Sequence, residues 1–436
     1  MCSGYPDTLA CARSEPALTL VHEMTRMLYK ILMLLMIAPS ALAETSYQDF
    51  EMPPHDYFKR TPTDRFTQMK AALESGQLKL DLSGEKEFLA SFLQAMDVPA
   101  SSQMLVFSTT SLQLSLINPS NPRALYFSED IYVGYIPGGR IEIVSLDPEL
   151  GAIFYIFDIP QNREPVRVER STRCMNCHAG EETGHVPGLV VKSVLPGLTG
   201  GSLVAYRINK SGHTIPLEER LGGWYVTGLD GVTNHWGNSL GQFNAGNLVK
   251  IRNNPGERFR FARYLTSTSD ILAHLIHEHQ VGFVNRVIEA TYRTRTVLQV
   301  NSAKLSAAQD QELNQQANEI VRYLLFVDES ALPAGGIEGD PIFKREFQSN
   351  RRAVNGAALK DLELKTRLFK HRCSYMIYST VFSGLPKVMK DRVYRKLGDA
   401  LSVATEEAEY KFLGPEEKQL IREVLRGTLK DLPENW

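Results

Sequence analysis

Two periods of apolar residues divide the chain. Over about Thr63 to Ser75 and Ser83 to Asp97 apolar side chains recur every three to four residues, which predicts amphipathic helices. The second opens on Ser83, with Glu87 one place late for a capping box. The period then shortens. Gln103 to Ser108, Ala124 to Phe127, Ile131 to Ile136, Ile141 to Leu146 and Ala152 to Asp158 are short, rich in β-branched and aromatic residues, and separated by turn signals such as Pro137-Gly138-Gly139. They predict an antiparallel meander. Strand-like segments resume at Leu189 to Val194, Leu203 to Ile208 and Trp224 to Thr227. From Ser267 the helical period returns, with helices predicted over Ser269 to Thr294, Ser306 to Phe326, Ser374 to Phe382, Pro386 to Val403 and Pro415 to Leu429. Asp328 to Leu359, interrupted by Pro333, Gly335-Gly336 and Pro341, reads as a long excursion. The pattern is α+β: an N-terminal arm and helices over 44–100, a β-rich region over 101–266, and a helical region over 267–436 packed against it.

The start of the chain reads differently. From Met24 a short basic segment with Arg26 and Lys30 leads into the apolar run Ile31 to Ala38, then to Pro39-Ser40-Ala41-Leu42-Ala43, an A-x-A cleavage pattern. The run is well short of the roughly 20 residues of a membrane-spanning helix, so 1–43 is expected to be a leader and signal peptide, with export to the periplasm and no membrane span once it is cleaved. The residues before Met24 show no targeting pattern, so Met24 or Met27 is expected to be the initiator. A formal net charge of −2 and an ordinary composition give no footprint for nucleic acid.

The chemistry concentrates in Cys174-Met175-Asn176-Cys177-His178. Two cysteines two residues apart, followed at once by histidine, form the attachment signature of a c-type haem. The sulfurs add to the porphyrin's vinyl groups and the adjoining imidazole reaches the iron, so Cys174, Cys177 and His178 are expected to hold one covalent haem, His178 as proximal ligand. A structural zinc site needs four closed ligands, and the later Cys373 stands alone. A thioredoxin-like pair opens a helix after a strand, whereas Arg-Ser-Thr-Arg precedes this motif and a glycine-bearing polar stretch follows. Cys373 itself is expected to be buried and inert.

The second axial position is less apparent. No methionine lies between His178 and Met376, and Met376 and Met389 sit in apolar helical patterns where methionine fills cores. His279 falls in the apolar stripe of Leu272, Leu275, Ile276 and Phe283 and ranks first as distal ligand. His235, near the glycine- and aromatic-rich Gly222 to Gly228, ranks second. His277 faces away from His279, which removes the two as a metal pair. His55, His213 and His371 lie in polar contexts, and His185 lies in a loop beside the motif. Arg167, Arg170 and Arg173 lead into the motif and are candidates for pairing with haem propionates.

Several stretches in order carry a resemblance: Pro122 to Phe127 with Val133 to Gly139, the CMNCH motif, Gly222 to Gly228 with His235-Trp236-Gly237-Asn238, Glu278-His279-Gln280, and Thr366 to Phe369 with Cys373 to Tyr375. The set resembles a family of large, single-haem, c-type-cytochrome-like exported bacterial proteins, most without an assigned activity. The family has an aromatic residue and proline before the last cysteine, where this chain has His371-Arg372. The resemblance implies haem and export and supplies no reaction. Two functions stay open: a redox carrier that passes electrons to a partner protein, and a haem enzyme of peroxidase or oxygenase type or a gas sensor acting on a small molecule. The chain is far longer than wrapping one haem requires, which argues for the second, while a missing second CxxCH counts against the two-haem peroxidase design, and the redox carrier, as the more general statement, is the first expectation.

Overall fold

Asp64 caps the first helix among the described residues: its side chain accepts from the backbone N–H groups of Phe66 and Thr67 at the start of α1, Arg65–Glu74. In α2, Glu85–Ala95, the cap is Gly84 rather than Ser83, and Glu85 and Glu87 complement the positive end of the helix dipole. These elements belong to a computed structural model that describes residues 46–160, 165–206, 211–300, 305–405, 407–434 and 436. The expected leader and signal segment over 1–43 lies outside the described residues.

The expected meander forms: β1 (Met104–Val106), β2 (Arg123–Phe127), β3 (Ile131–Tyr135), β4 (Ile141–Asp147) and β5 (Gly151–Phe157) follow one another antiparallel. Two-residue strands extend it, β6 (Glu169–Arg170) beside β5 and, later in the chain, Trp224–Tyr225 beside β1. The sheet therefore has seven strands. Its register sorts side chains onto two faces. One face packs on α1 and α2, with Phe66 4.8 Å from Tyr155 and Phe92 5.6 Å from Phe157, ring centre to ring centre.

The opposite face carries the CxxCH motif's single helical turn, α3 (Met175–His178), and a 30-residue helix. Between them come hairpin β7–β8 (Val194–Pro196 and Ser202–Ala205), β9 (the Trp224–Tyr225 strand), and hairpin β10–β11 (Ser239–Asn244 and Asn247–Arg252). The long helix is α4, Ile271–Val300, buried on nearly all sides over its first four turns. Tyr132 donates to Gln280 Oε1 at 3.2 Å, tying β3 to α4. Helix α5 (Ala307–Leu324) opens on a capping box between Ser306 and Gln309 and packs on α4.

The expected excursion contains a helix, α6 (Pro341–Gln348), capped by Asp340 with proline at its first position. The helix expected over Ser374 to Phe382 is instead a 3₁₀ turn at Tyr375–Tyr378 followed by α7 (Thr380–Ser383). Ser374 and Ser379 each cap a new start, which breaks the run. Helices α8 (Lys387–Ala400) and α9 (Pro415–Thr428) close the chain as expected. Ser46–Trp436 forms one compact unit. Among the described residues no helix is long and apolar enough to cross a membrane.

Candidate haem attachment site

Cys174 stands at the N-terminal boundary of α3, and the turn closes with His178 N–H donating to Cys174 O at 3.0 Å. Buried Met175 anchors the turn, while Cys174 is half-buried, Cys177 is exposed, and neither is in a disulfide. One turn of helix thus presents two free thiols and an imidazole. His178 Nδ1 lies 3.0 Å from Gly188 O, and a carbonyl can only accept, so Nδ1 carries the proton and Nε2 keeps its lone pair. That tautomer is the one a metal-ligating histidine needs.

The carbonyl that orients His178 is itself held. Leu189 N–H donates to Asn285 Oδ1 at 2.8 Å, and Asn285 Nδ2 donates back to Leu189 O at 2.8 Å, so α4 fixes the loop that fixes the ring. Gly188 is required there, because a Cβ would lie 2.7 Å from Asn285 Oδ1. The His178 ring also packs 4.5 Å from the Phe154 ring. Burial lowers its pKa to about 4, with Arg123 and Lys192 adding to the shift and the Gly188 hydrogen bond and Glu142 opposing it. The imidazole is neutral at physiological pH. Burial likewise raises the Cys174 thiol, with Glu142, Cys177 and Glu169 adding to the rise and the Ser171 hydrogen bond opposing it.

The donor set fits a c-type haem: free thiols at the required spacing, a neutral imidazole, and an Nε2 with no hydrogen-bond partner among the described residues. No three His, Cys, Asp or Glu residues converge as ligands for a bare metal ion among the described residues. Haem does not need such a cluster, because the porphyrin supplies the iron's equatorial ligands.

The sheet register identifies what shares a face with Phe154. Val144 pairs with Phe154, and Glu142, two residues along β4, projects on the same side. Glu142 opposes Gly134, which opposes Leu125 on β2, and Arg123 follows two residues away. Along these central strands Arg123, Leu125, Glu142 and Val144 remain partly exposed, whereas the positions facing α1 and α2 are buried. Arg123 Nη1 donates to Glu142 Oε2 at 2.8 Å and Gln113 Nε2 donates to Glu142 Oε1 at 3.0 Å. Sequence reasoning missed this pair; its only signal was a charged residue near the start of each of two mainly apolar strands.

The distal candidates are distributed otherwise than expected. His279 is fully buried, with Nδ1 2.7 Å from His213 Nδ1 and Nε2 2.7 Å from Ser374 Oγ. Both ring nitrogens are engaged, so the first-ranked candidate stands here as a hydrogen-bonded core histidine. His235 lines a cleft of about 570 Å³ with Leu229, Val232, Lys250 and Arg252, a setting that includes no residue of the CxxCH turn. His277 sits between the rings of Phe127 and Tyr132, moved by burial alone, without a neighbouring charge. Met376 and Met389 are fully buried in the core, and Cys373 is buried, all as expected.

His55, His213 and His371, expected in polar surroundings, are buried. In the case of His213, Gly212 adopts a φ of +119° that turns the polar loop inward against Tyr323. Of the arginines, Arg170 donates to the carbonyls of Tyr57 and Arg60, tying down the N-terminal arm instead of facing a propionate, while Arg167 and Arg173 are exposed. No family model, curated protein or solved structure matches the chain, so the reading of the site rests on its own geometry.

Proposed function

We propose that this chain is a periplasmic redox protein, exported by the signal peptide ending at Ala43 and carrying one haem c bound through Cys174 and Cys177 with His178 as proximal ligand. The observation that carries the reading is the His178 ring itself: Nδ1–H donates to Gly188 O and Nε2 has no hydrogen-bond partner among the described residues, within one helical turn of two free thiols. When bound, haem supplies one-electron chemistry at iron. The residues of the chain hold it. Gly188 and Asn285 fix the imidazole's direction, Phe154 packs its face, and the exposed Cys177 leaves that edge of the site open towards a redox partner protein. A second reading, a haem enzyme of peroxidase or oxygenase type or a gas sensor, is favoured by one observation: His279, Met376 and Met389 are all taken up by the core.

The test is covalent attachment. Protein from a host competent for c-type maturation should retain its haem through acid–acetone extraction, and Cys174→Ala with Cys177→Ala should release it. Haem that leaves the wild-type chain entirely in the organic phase would end the reading.

A further inference from the structure

We infer that Arg123 and Glu142 form the distal pair of the haem pocket, receiving a small weak acid such as hydrogen peroxide or hydrogen cyanide. This rests on the haem reading above. The register places both residues on the sheet face that carries Phe154, on which His178 packs. A charged pair at the starts of two interior strands is costly beside Leu125 and Val144 unless its polar atoms are used.

The pair is held in advance of any ligand. Both carboxylate oxygens of Glu142 accept hydrogen bonds, from Arg123 and Gln113, and Gln113 is fixed by donating to Arg140 O and accepting from Arg140 N–H. Gly134 leaves room for the Glu142 side chain, which an added Cβ would approach to 3.3 Å. Arg123 keeps a buried Nε–H with no hydrogen-bond partner among the described residues. The carboxylate can accept the proton that the incoming acid gives up, and the guanidinium can donate to the anion left behind. Neither side chain is a ligand to iron: Glu142 takes up the proton of the incoming acid, and Arg123 holds the anion left behind by a hydrogen bond.

The test uses the haem-loaded full chain and readouts other than turnover. Wild type should bind fluoride and cyanide in the ferric state and carbon monoxide in the ferrous state, and the iron–fluoride vibration should shift in heavy water because a protein N–H donates to the bound anion. Arg123→Leu should weaken fluoride binding about tenfold or more and abolish that shift. Glu142→Gln should slow cyanide association about a hundredfold while leaving fluoride affinity within a few-fold. A wild-type spectrum that is low-spin and refuses carbon monoxide until His277 or His235 is replaced would overturn the pair. So would unchanged cyanide and fluoride binding in both variants. If either variant fails to fold, absence of the heavy-water shift in wild type overturns the proposal by itself. Absence of covalent haem would be seen before any ligand is added, and would mark failure of the underlying reading instead.

Discussion

His279 shows how one ring can satisfy an apolar stripe without serving chemistry. It packs between Phe326 and Tyr323 with ring centres 4.9 and 5.5 Å away, and its nitrogens meet His213 and Ser374. If His213 Nδ1–H donates to His279 Nδ1, then His279 Nε2–H donates to Ser374 Oγ, which also accepts from Met376 N–H, and each shared contact has one donor. His279→Ala leaves a cavity and strips two buried polar groups of their partner, so it should destabilise the fold by about 3 kcal/mol. A urea midpoint measures that loss. The haem spectrum of the folded variant should be unchanged, and a shift from low to high spin would restore His279 as an iron ligand. Ser374→Ala leaves the His279 Nε2–H and the Met376 N–H without their acceptor and should cost about 1 to 3 kcal/mol without opening a large cavity.

At the scale of elements, the crossing of α4 and α5 depends on a glycine that helical propensity disfavours. A Cβ at Gly282 would land on the Tyr323 hydroxyl and lie 2.7 Å from Gly212 Cα. The same hydroxyl donates to His279 O at 2.9 Å and accepts from His213 N–H, so it cannot move aside without breaking both. Gly282→Ala should therefore destabilise by about 1 to 3 kcal/mol despite alanine's better helix propensity, and an equal or higher melting temperature would show that the crossing has slack.

Elements whose burial follows a simple period were legible in the sequence: the meander strands of 104–157, and helices α4, α5, α8 and α9, fall within a few residues of expectation except at α4's longer end. Hairpin β10–β11 was not, because Phe243, Leu248 and Val249 are exposed and the burial alternation that marks a strand is absent. Its one local signal was the turn at Ala245-Gly246, both with positive φ. Cys174, Cys177 and His178 were legible as a candidate site because covalent haem attachment would require their spacing. Arg123 and Glu142 were not, since which strands adjoin, and on which face, is settled only by the register.

Across the whole molecule, several histidines are buried in neutral form. Burial lowers His55 to about 4 and His274, His277 and His279 to about 3, with nearby cations adding to the shift at His55 and His279. Each such ring binds a proton in the unfolded chain below its ordinary value near 6.5 but not in the folded one, so each removes stability as pH falls. Two buried carboxyls act oppositely. Burial raises Asp270 to about 6 and Glu329 to about 7, so on acidification the folded chain takes up their protons before the unfolded chain does, which adds stability. The four histidines outnumber the two carboxyls between about pH 6.5 and pH 5, and each net proton favouring the unfolded chain contributes about 1.4 kcal/mol per pH unit. Urea midpoints taken at about pH 7.5 and about pH 5.5 should therefore fall together with extrapolated stability by at least that slope. His279→Ala should flatten the dependence, since it removes one neutral ring from the count. A midpoint that holds or rises on acidification would mean that these rings take up protons within the fold, as a water-filled core around His213 and His279 would allow.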